Sequence, residues 1–368
     1  MIALPISEML RRKTAQDYRS ALVKPDLRAI KHALFRSKKH TFFMRISVCI
    51  GTYNRADLLI KTLESVRSST YPHDNMEVIV IDNNSTDATK HVAESASSWF
   101  PRFKYLFEKR QGLSYARNAG IQASAGEIIC FLDDDTTIDR NYFTAVDDVF
   151  SRYDCAGVGS RIIPEWNCPK PISFATEGPY NVSDGFLVRF DKGDNEEELT
   201  RSWFGAGMSI RRSALERHGL FAEHLSRVGR TEGMGEDSEI FHRLKAAGEI
   251  LFYAPKAVVF HPVDAERLTK TFVRKWHFEH GRFLALIDVQ TYRSLKAIPL
   301  WTVKKSFLHL ARFLGARGTW ERAYHEASLW EIFGTIRGYR QRNASTAIGS
   351  TSGLTNESKP SISNSNEL

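Results

Sequence analysis

Residues 127–139 read EIICFLDDDTTID, and this run from Glu127 to Asp139 decides the fold class. Ile128, Ile129, Cys130, Phe131 and Leu132 are apolar without alternation, which suits a strand covered on both faces inside a largely parallel sheet. Asp133, Asp134 and Asp135 follow at its C-terminal end. Ligands of open α/β sheets bind at that edge, and adjacent carboxylates there repel one another unless a cation or hydrogen-bonded ligand offsets the repulsion. A solvated turn with one helix cap is the plainer reading of the same triplet.

Outward from this run, apolar strands alternate with helical segments. RISVCIGTYNR, MEVIVIDNNSTD and RFKYLFEK read as strands; LLIKTLESVRSS, ATKHVAESASSWF and YARNAGIQAS read as helices between them. That alternation predicts an α/β, doubly wound sheet over residues 45–262. Residues 1–44 read as a basic helical appendage, broken at Pro25. Residues 263–343 read as a basic helical extension interrupted at Pro299, and 344–368, about half Ser, Thr and Asn, as a disordered tail.

Composition is that of an ordinary globular protein, 42% hydrophobic and 26% charged, and no apolar stretch approaches the roughly 18 to 20 residues that span a bilayer. Arg11, Arg12 and Lys13 are not followed by an apolar core with a cleavage site, and the four cysteines lack metal-ligand spacing. The expectation is a cytoplasmic chain with reduced thiols. The net charge of +8 sits in the flanks: residues 1–45 carry eleven Lys and Arg against three acids, and 265–343 carry fifteen against six. No nucleic-acid-binding signature accompanies it, so an anionic membrane surface, at the inner face, is the expected partner of the flanks.

Three strand tips carry chemistry together. The first ends in Gly51, Thr52, Tyr53, Asn54 and Arg55, the second in Asp82, Asn83 and Asn84, the third in the triple aspartate. On one edge of a parallel sheet they offer a carboxylate for a base N–H, a ring to stack, an arginine for phosphate and acids for a divalent ion, the outline of a nucleoside-diphosphate site. Singly, each tip also reads as a turn or a cap.

The ordered set VCIGTYNR, VIVIDNNSTD, GLSYARNAG, ICFLDDD and GMGEDSEI resembles the family 2 glycosyltransferases, over roughly residues 45–262. The resemblance implies the GT-A fold and a nucleotide-sugar donor. It implies that Thr52, Tyr53 and Arg55 lie near the nucleotide, that Asp82 accepts from the base, and that Arg117 lies beside it. Asp133 and Asp135 match the two acids of the D-x-D motif, the second of which binds Mn or Mg. His261, ending LFYAPKAVVFH, is placed for a further ligand or for capping a strand end. The expected nucleotide is UDP, since Asp82 can accept from uracil N3–H, although thymine presents the same edge and guanine remains open. By the same resemblance Asp237 is the base of a single, inverting displacement with Glu236 in support; complementing a helix dipole is the alternative for both acids. WFGAGMSIRRSAL resembles the acceptor-lining segment, which implies acceptor roles for Trp203, Gly205 and Gly207; core packing is the competing view of the aromatic residues. The preceding loop, Glu177 to Thr200, reads as a mobile acidic cover. The acceptor would be a glycan or a lipid-linked saccharide.

Three rival classes compete. Asp133, Asp135 and Thr137 also match the D-x-D-x-T of haloacid dehalogenase-type phosphatases, with Asp133 as nucleophile, but no later metal signature accompanies them. A sugar nucleotidyltransferase would need a glycine-rich loop after the first strand. A noncatalytic sugar-nucleotide-binding protein would not need Asp135 and Asp237 together. Finally, VKKSFLHLARFLG sets Val303, Phe307, Leu310, Phe313 and Leu314 on one side of a helix and Lys304, Lys305, His309 and Arg312 on much of the other. Such a helix either lies on a membrane or packs its apolar side on the catalytic domain.

Overall fold

The structure, a computed structural model, describes residues 44–226, 235–287, 294–295 and 298–351. All of the appendage expected over 1–44 except Met44, and the end of the tail, 352–368, lie outside the described residues, as do Gly233 and Met234. From the N-terminal side, β1 (Ile46–Thr52), α1 (Ala56–Arg67), β2 (Met76–Asp82), α2 (Thr89–Ala96), β3 (Phe103–Phe107), α3 (Leu113–Ala123) and β4 (Ile128–Asp133) alternate where the hydrophobic pattern set them. β2 is buried along its whole length, as its unbroken apolar run requires. α1 buries Leu59, Leu63 and Val66, one stripe at helical spacing. Glu77, an acid in this core, is satisfied there: Ser47 Oγ donates to it at 2.6 Å and Lys104 Nζ pairs with it at 2.9 Å.

The second half adds β5 (Thr137–Ile138), α4 (Tyr142–Arg152), β6 (Gly157–Trp166), β7 (Glu197–Glu198), β8 (Met208–Arg211), α5 (Arg212–His218), α6 (Glu236–Ala246) and β9 (Leu251–Val263). The sheet order is β3-β2-β1-β4-β8-β6-β9-β5, with β7 also on β9. Pairs from β3 to β4 are parallel, whereas β8 runs antiparallel to both β4 and β6. The α/β sheet is therefore parallel in its first half and mixed in its second. The connection after β6 is long, although antiparallel neighbours such as β6 and β8 need only a turn between them. That connection is no loose cover. Phe186, Leu187 and Phe190 are buried, and Phe186 and Leu187 join Phe174, Val263 and Val273 in a second small core.

Beyond the sheet, α7 (Lys270–Ile287), α8 (Leu300–Gly315) and α9 (Thr319–Thr351) complete the chain. α9 continues past the boundary drawn at 343, through Ala344 to Ala347, where no proline stops it. α8 is turned inside out. Thr302, Lys305, Ser306, His309 and Phe313 face the protein, while Phe307 and Leu314 are 71% and 72% exposed and Val303 and Leu310 are exposed beside them. No described helix is long and apolar enough to cross a membrane.

Candidate active site

Parallel register places Thr52 beside Asp82 and Gly51 beside Asp133, so the three strand tips share one edge. Polar side chains lock them together. Asn54 Oδ1 accepts from Thr86 N–H at 2.7 Å, and Asn83 Oδ1 accepts from Gly112 N–H at 2.6 Å. Asp82 is 1% exposed, with one carboxylate oxygen accepting from Ser85 N–H at 2.8 Å and the other from the Tyr105 hydroxyl at 2.7 Å. It orders the turn after β2.

The same register brings Arg55 to the acids. Its Nη1 lies 2.9 Å from both Asp134 Oδ1 and Asp135 Oδ2. Burial works against the guanidinium charge, but Asp134 and Asp135 hold its pKa above the usual value. Asp134 is buried, and desolvation pushes it up to about 6 against the pull of Arg55. Asp135 is held below its usual value: burial is outweighed by His261 in its protonated, low-pH form and by Arg55 and Arg267.

Asp133, Asp135 and His261 bring ligand atoms within 4.8 Å of one another. Asp135 Oδ1 is buried without a hydrogen-bond partner and faces His261 Nε2 at 4.0 Å. His261 Nδ1 lies 3.0 Å from the Pro262 carbonyl, which only accepts, so Nδ1 carries the proton and Nε2 keeps its lone pair. Burial lowers the His261 pKa and keeps the ring neutral, as a ligand must be. An orphaned carboxylate oxygen, a second carboxylate and a neutral imidazole fit a divalent ion of the Mn or Mg type, with imidazole favouring Mn.

Beside this cluster a cavity of about 1460 Å³ is lined by Arg55, Arg117, Asp133 and Asp135 and, farther along, by Gly205, Glu236 and Asp237. Arg117 joins the two groups. It is buried, its Nη1 2.8 Å from Glu236 Oε1 and its Nη2 3.5 Å from Asp133 Oδ1, with the Phe221 ring 5.4 Å from its guanidinium carbon. Asn118, next on α3, fixes Phe221 by exchanging hydrogen bonds with its backbone at 3.0 and 2.9 Å. A Cβ at Gly205 would lie 2.3 Å from Arg117 Nη2, so only glycine leaves room for the guanidinium.

Asp237 sits in the first turn of α6, which opens at Gly235 in the left-handed conformation (φ 96°). Its Oδ2 accepts from Gly205 N–H and its Oδ1 from Ser238 N–H, both at 2.7 Å. Burial, then the neighbouring Glu236 carboxylate, push its pKa up to about 6, with Arg117 pulling the other way.

Arg55, Arg117, Asp133, Asp135, Gly205, Glu236 and Asp237 thus meet on one cavity, with His261 behind the acids. Thr52, Tyr53, Asp82 and Gly207 do not line it. Of the expected acceptor residues, Trp203 and Gly205 line the cavity and Gly207 does not. Trp203 reaches it with only 2% of its surface exposed, its ring edge-on to Phe241 at 5.5 Å and its Nε1 donating to the Asp237 carbonyl at 3.0 Å. Gly207 is tied into the sheet, donating to the Phe131 carbonyl at 3.0 Å. Asp134 and Asn118 carry supporting roles not read from the sequence, although each stands next to a residue that was.

Residues 47–219 match the family described as Glycosyl transferase family 2. Glycosyltransferase AglE of Haloferax volcanii is 29% identical over 261 residues, 70% of this chain and 79% of that one. The glucosyl-dolichyl phosphate glucuronosyltransferase of the same organism is 25% identical over 225 residues, 59% and 69% of the two chains. The solved mannosyltransferase PcManGT of Pyrobaculum calidifontis, in complex with GDP-Man and Mn2+, shares the fold with a TM-score of 0.50 at 19% identity, over 89% of this chain and 85% of that one. Over residues 47–219, just under half of its length, the chain carries a family 2 glycosyltransferase domain, a sugar-transferring domain on the GT-A fold.

Proposed function

We propose that the chain is a divalent-metal-dependent, inverting glycosyltransferase that moves a sugar from a nucleoside-diphosphate donor, UDP by preference, to a lipid-linked saccharide at the cytoplasmic face of a membrane. The observation that carries this reading is the single cavity onto which the acidic cluster and Asp237 both open, with Arg117 spanning Asp133 and Glu236 between them. Asp133, Asp135 and His261 would hold the ion. When bound there it would neutralise charge developing on the departing diphosphate, a Lewis-acid contribution of several kcal/mol.

The remaining work falls to the chain. Arg55 holds Asp134 and Asp135 in place, so that two of three adjacent acids are offset before any ligand arrives. Arg117 aligns the donor side with the acceptor side and pairs with Glu236. Asp237 takes the proton from the acceptor hydroxyl as it attacks the anomeric carbon from the side opposite the diphosphate. A pKa raised toward neutrality suits a carboxylate for that task. Hydrogen bonds from Gly205 and Ser238 hold its two oxygens without consuming both lone pairs of either.

The membrane part of the reading rests on α8, whose exposed Val303, Phe307, Leu310 and Leu314 have Lys304 among them, an apolar face with a cation that suits an anionic bilayer. The Haloferax relative named for a dolichyl phosphate substrate agrees with a lipid-linked acceptor. A thermal-shift panel of UDP, GDP and dTDP with and without Mn tests the donor side: one nucleotide should stabilise the chain, and only with the ion. Equal stabilisation in EDTA would refute the metal-held diphosphate.

A further inference from the structure

The cavity is larger than one donor needs. Ligand pockets run from about 300 to 1,000 Å³, and this one, at about 1460 Å³, continues from the acids to a wall made by α7, α8 and α9. That wall is basic. Lys305 and His309 of α8 line it from the helix's inward side, with Lys275 of α7 and Arg312 of α8. Among the described residues none of the three cations, Lys275, Lys305 or Arg312, has a carboxylate within ion-pair distance. Lys305 is half-buried, its ammonium 5.3 Å from the centre of the Trp301 ring. Glu331, the acid whose charge reaches it, gives Oε2 to His277 and His280 at 3.4 and 3.3 Å. A half-buried ammonium without a counter-ion, facing a cavity, is costly unless an anion arrives to pair with it.

α8 turns Lys305 and His309 toward the cavity, which exposed Arg312 also lines, and points an apolar face outward, the reverse of a helix that packs its apolar side on its own protein. One ligand matches both sides at once. We propose that Lys275, Lys305 and Arg312 form a second anion subsite, separate from the acidic cluster, that takes the phosphate or diphosphate joining the acceptor saccharide to a polyprenyl chain. The prenyl chain stays in the bilayer against which the outer face of α8 rests, and the saccharide reaches along the cavity toward Asp237. This rests on the glycosyltransferase reading above and adds the chemical class of acceptor to it. Charge-assisted hydrogen bonds from lysine and arginine to phosphate oxygens provide the recognition.

The test is calorimetry on the full chain in EDTA, so that the acidic cluster holds no ion, with farnesyl phosphate and farnesyl diphosphate as probes and farnesol and inorganic diphosphate as controls. The expected result is saturable binding of a farnesyl ester, with both controls at least about tenfold weaker; whichever ester binds tighter identifies the linkage. The variant Lys275→Gln/Lys305→Gln/Arg312→Gln should bind that ester about ten- to a hundredfold more weakly, with its affinity for nucleoside diphosphate in Mn unchanged. Lys275→Gln alone, at an exposed position, should show a smaller loss of the same sign if the triple variant does not fold. Unaltered ester affinity in these variants, or farnesol binding as tightly as its esters, overturns the subsite; inorganic diphosphate binding as tightly as the ester overturns the prenyl assignment. If the esters bind as expected while no nucleoside diphosphate binds in Mn, the transferase reading fails and the lipid-phosphate subsite stands.

Discussion

Replacing Asp237 by Asn should abolish turnover and leave the fold as stable as before, and the two halves of that outcome come from the same environment. In the wild type, burial and the Glu236 charge raise the Asp237 pKa from its ordinary 3.8 to about 6. Above pH 6 the folded chain therefore carries this ionised group at a disadvantage of roughly 2 to 3 kcal/mol relative to the unfolded chain. The sign follows from proton counting. Between about pH 4 and pH 6 the folded state binds more protons at Asp237 than the unfolded state does, so this group's contribution favours folding at low pH and is lost as pH rises through the folded value. Asn removes the ionisation altogether. It also puts an amide NH2 where one oxygen accepted from Gly205 or Ser238, which orphans one N–H at a cost of about 1 to 3 kcal/mol. The two terms nearly offset each other.

The measurement is chemical unfolding at pH 7 and pH 5, alongside turnover followed as nucleoside diphosphate release. Asp237→Asn should lie within about 1 kcal/mol of wild type at pH 7, and the wild type's advantage over it should grow at pH 5. Turnover should fall by roughly 100-fold or more, which is about 2.7 kcal/mol of lost transition-state stabilisation, with donor affinity almost unchanged. Wild-type turnover in Asp237→Asn would remove this carboxylate from the chemistry. A loss of several kcal/mol in stability at pH 7 would show that Asp237 is a structural anchor and that its buried charge is already compensated.

Asp135→Asn should lose most metal-dependent nucleoside-diphosphate binding, and calorimetry showing wild-type affinity in Mn would remove Asp135 from the ion's ligands. Product anomeric configuration read by NMR should be inverted relative to the donor; retention contradicts a single displacement assisted by Asp237. The intact chain should cosediment with anionic liposomes at low salt and release as salt rises, each nearby Lys or Arg contributing about 1 kcal/mol. Phe307→Ser/Leu310→Ser/Leu314→Ser should abolish that association, and a triple variant that still cosediments would place the contact elsewhere than on α8.

The parallel half of the sheet was legible because its strands are unbroken apolar runs and its turns carry Asn, Asp and Gly, so local pattern and tertiary position agree. Asp133, Asp135 and Asp237 were legible because acids beside buried strands or glycine turns have few structural uses. What the sequence left hidden depends on contacts between distant segments. Nothing in WFGAG says that Gly205 exists to admit Arg117, or that Trp203 closes over the Asp237 backbone; both follow from β8 returning to pair with β4. Arg55 reads as a phosphate ligand until the β1–β4 register sets it against Asp134 and Asp135. The acids of the loop after β6 suggest a solvated cover, whereas buried Phe186, Leu187 and Phe190 anchor it.

α8 shows why periodicity alone stops short of function. A hydrophobic stripe opposite a basic one specifies a helix at a boundary between two media, and the pattern is the same whichever medium lies on the apolar side. Packing decides. Here Thr302, Lys305, Ser306 and His309 take the inward positions, Lys305 and His309 on the cavity, and Val303, Phe307, Leu310 and Leu314 are left outside. Burying Phe307, Leu310 and Leu314 would contribute roughly 1.5 to 3 kcal/mol each, a gain the isolated chain forgoes. A helix that turns Lys305 and His309 to a wet interior and Val303, Phe307, Leu310 and Leu314 outside fits a partner on each side, an anion within and an apolar phase without. A prenyl phosphate acceptor supplies both in one molecule, which is why the calorimetric and liposome experiments should be read together: weakened ester binding in the lysine variants with intact liposome association, and the converse in the serine variant, would separate the two faces of one helix.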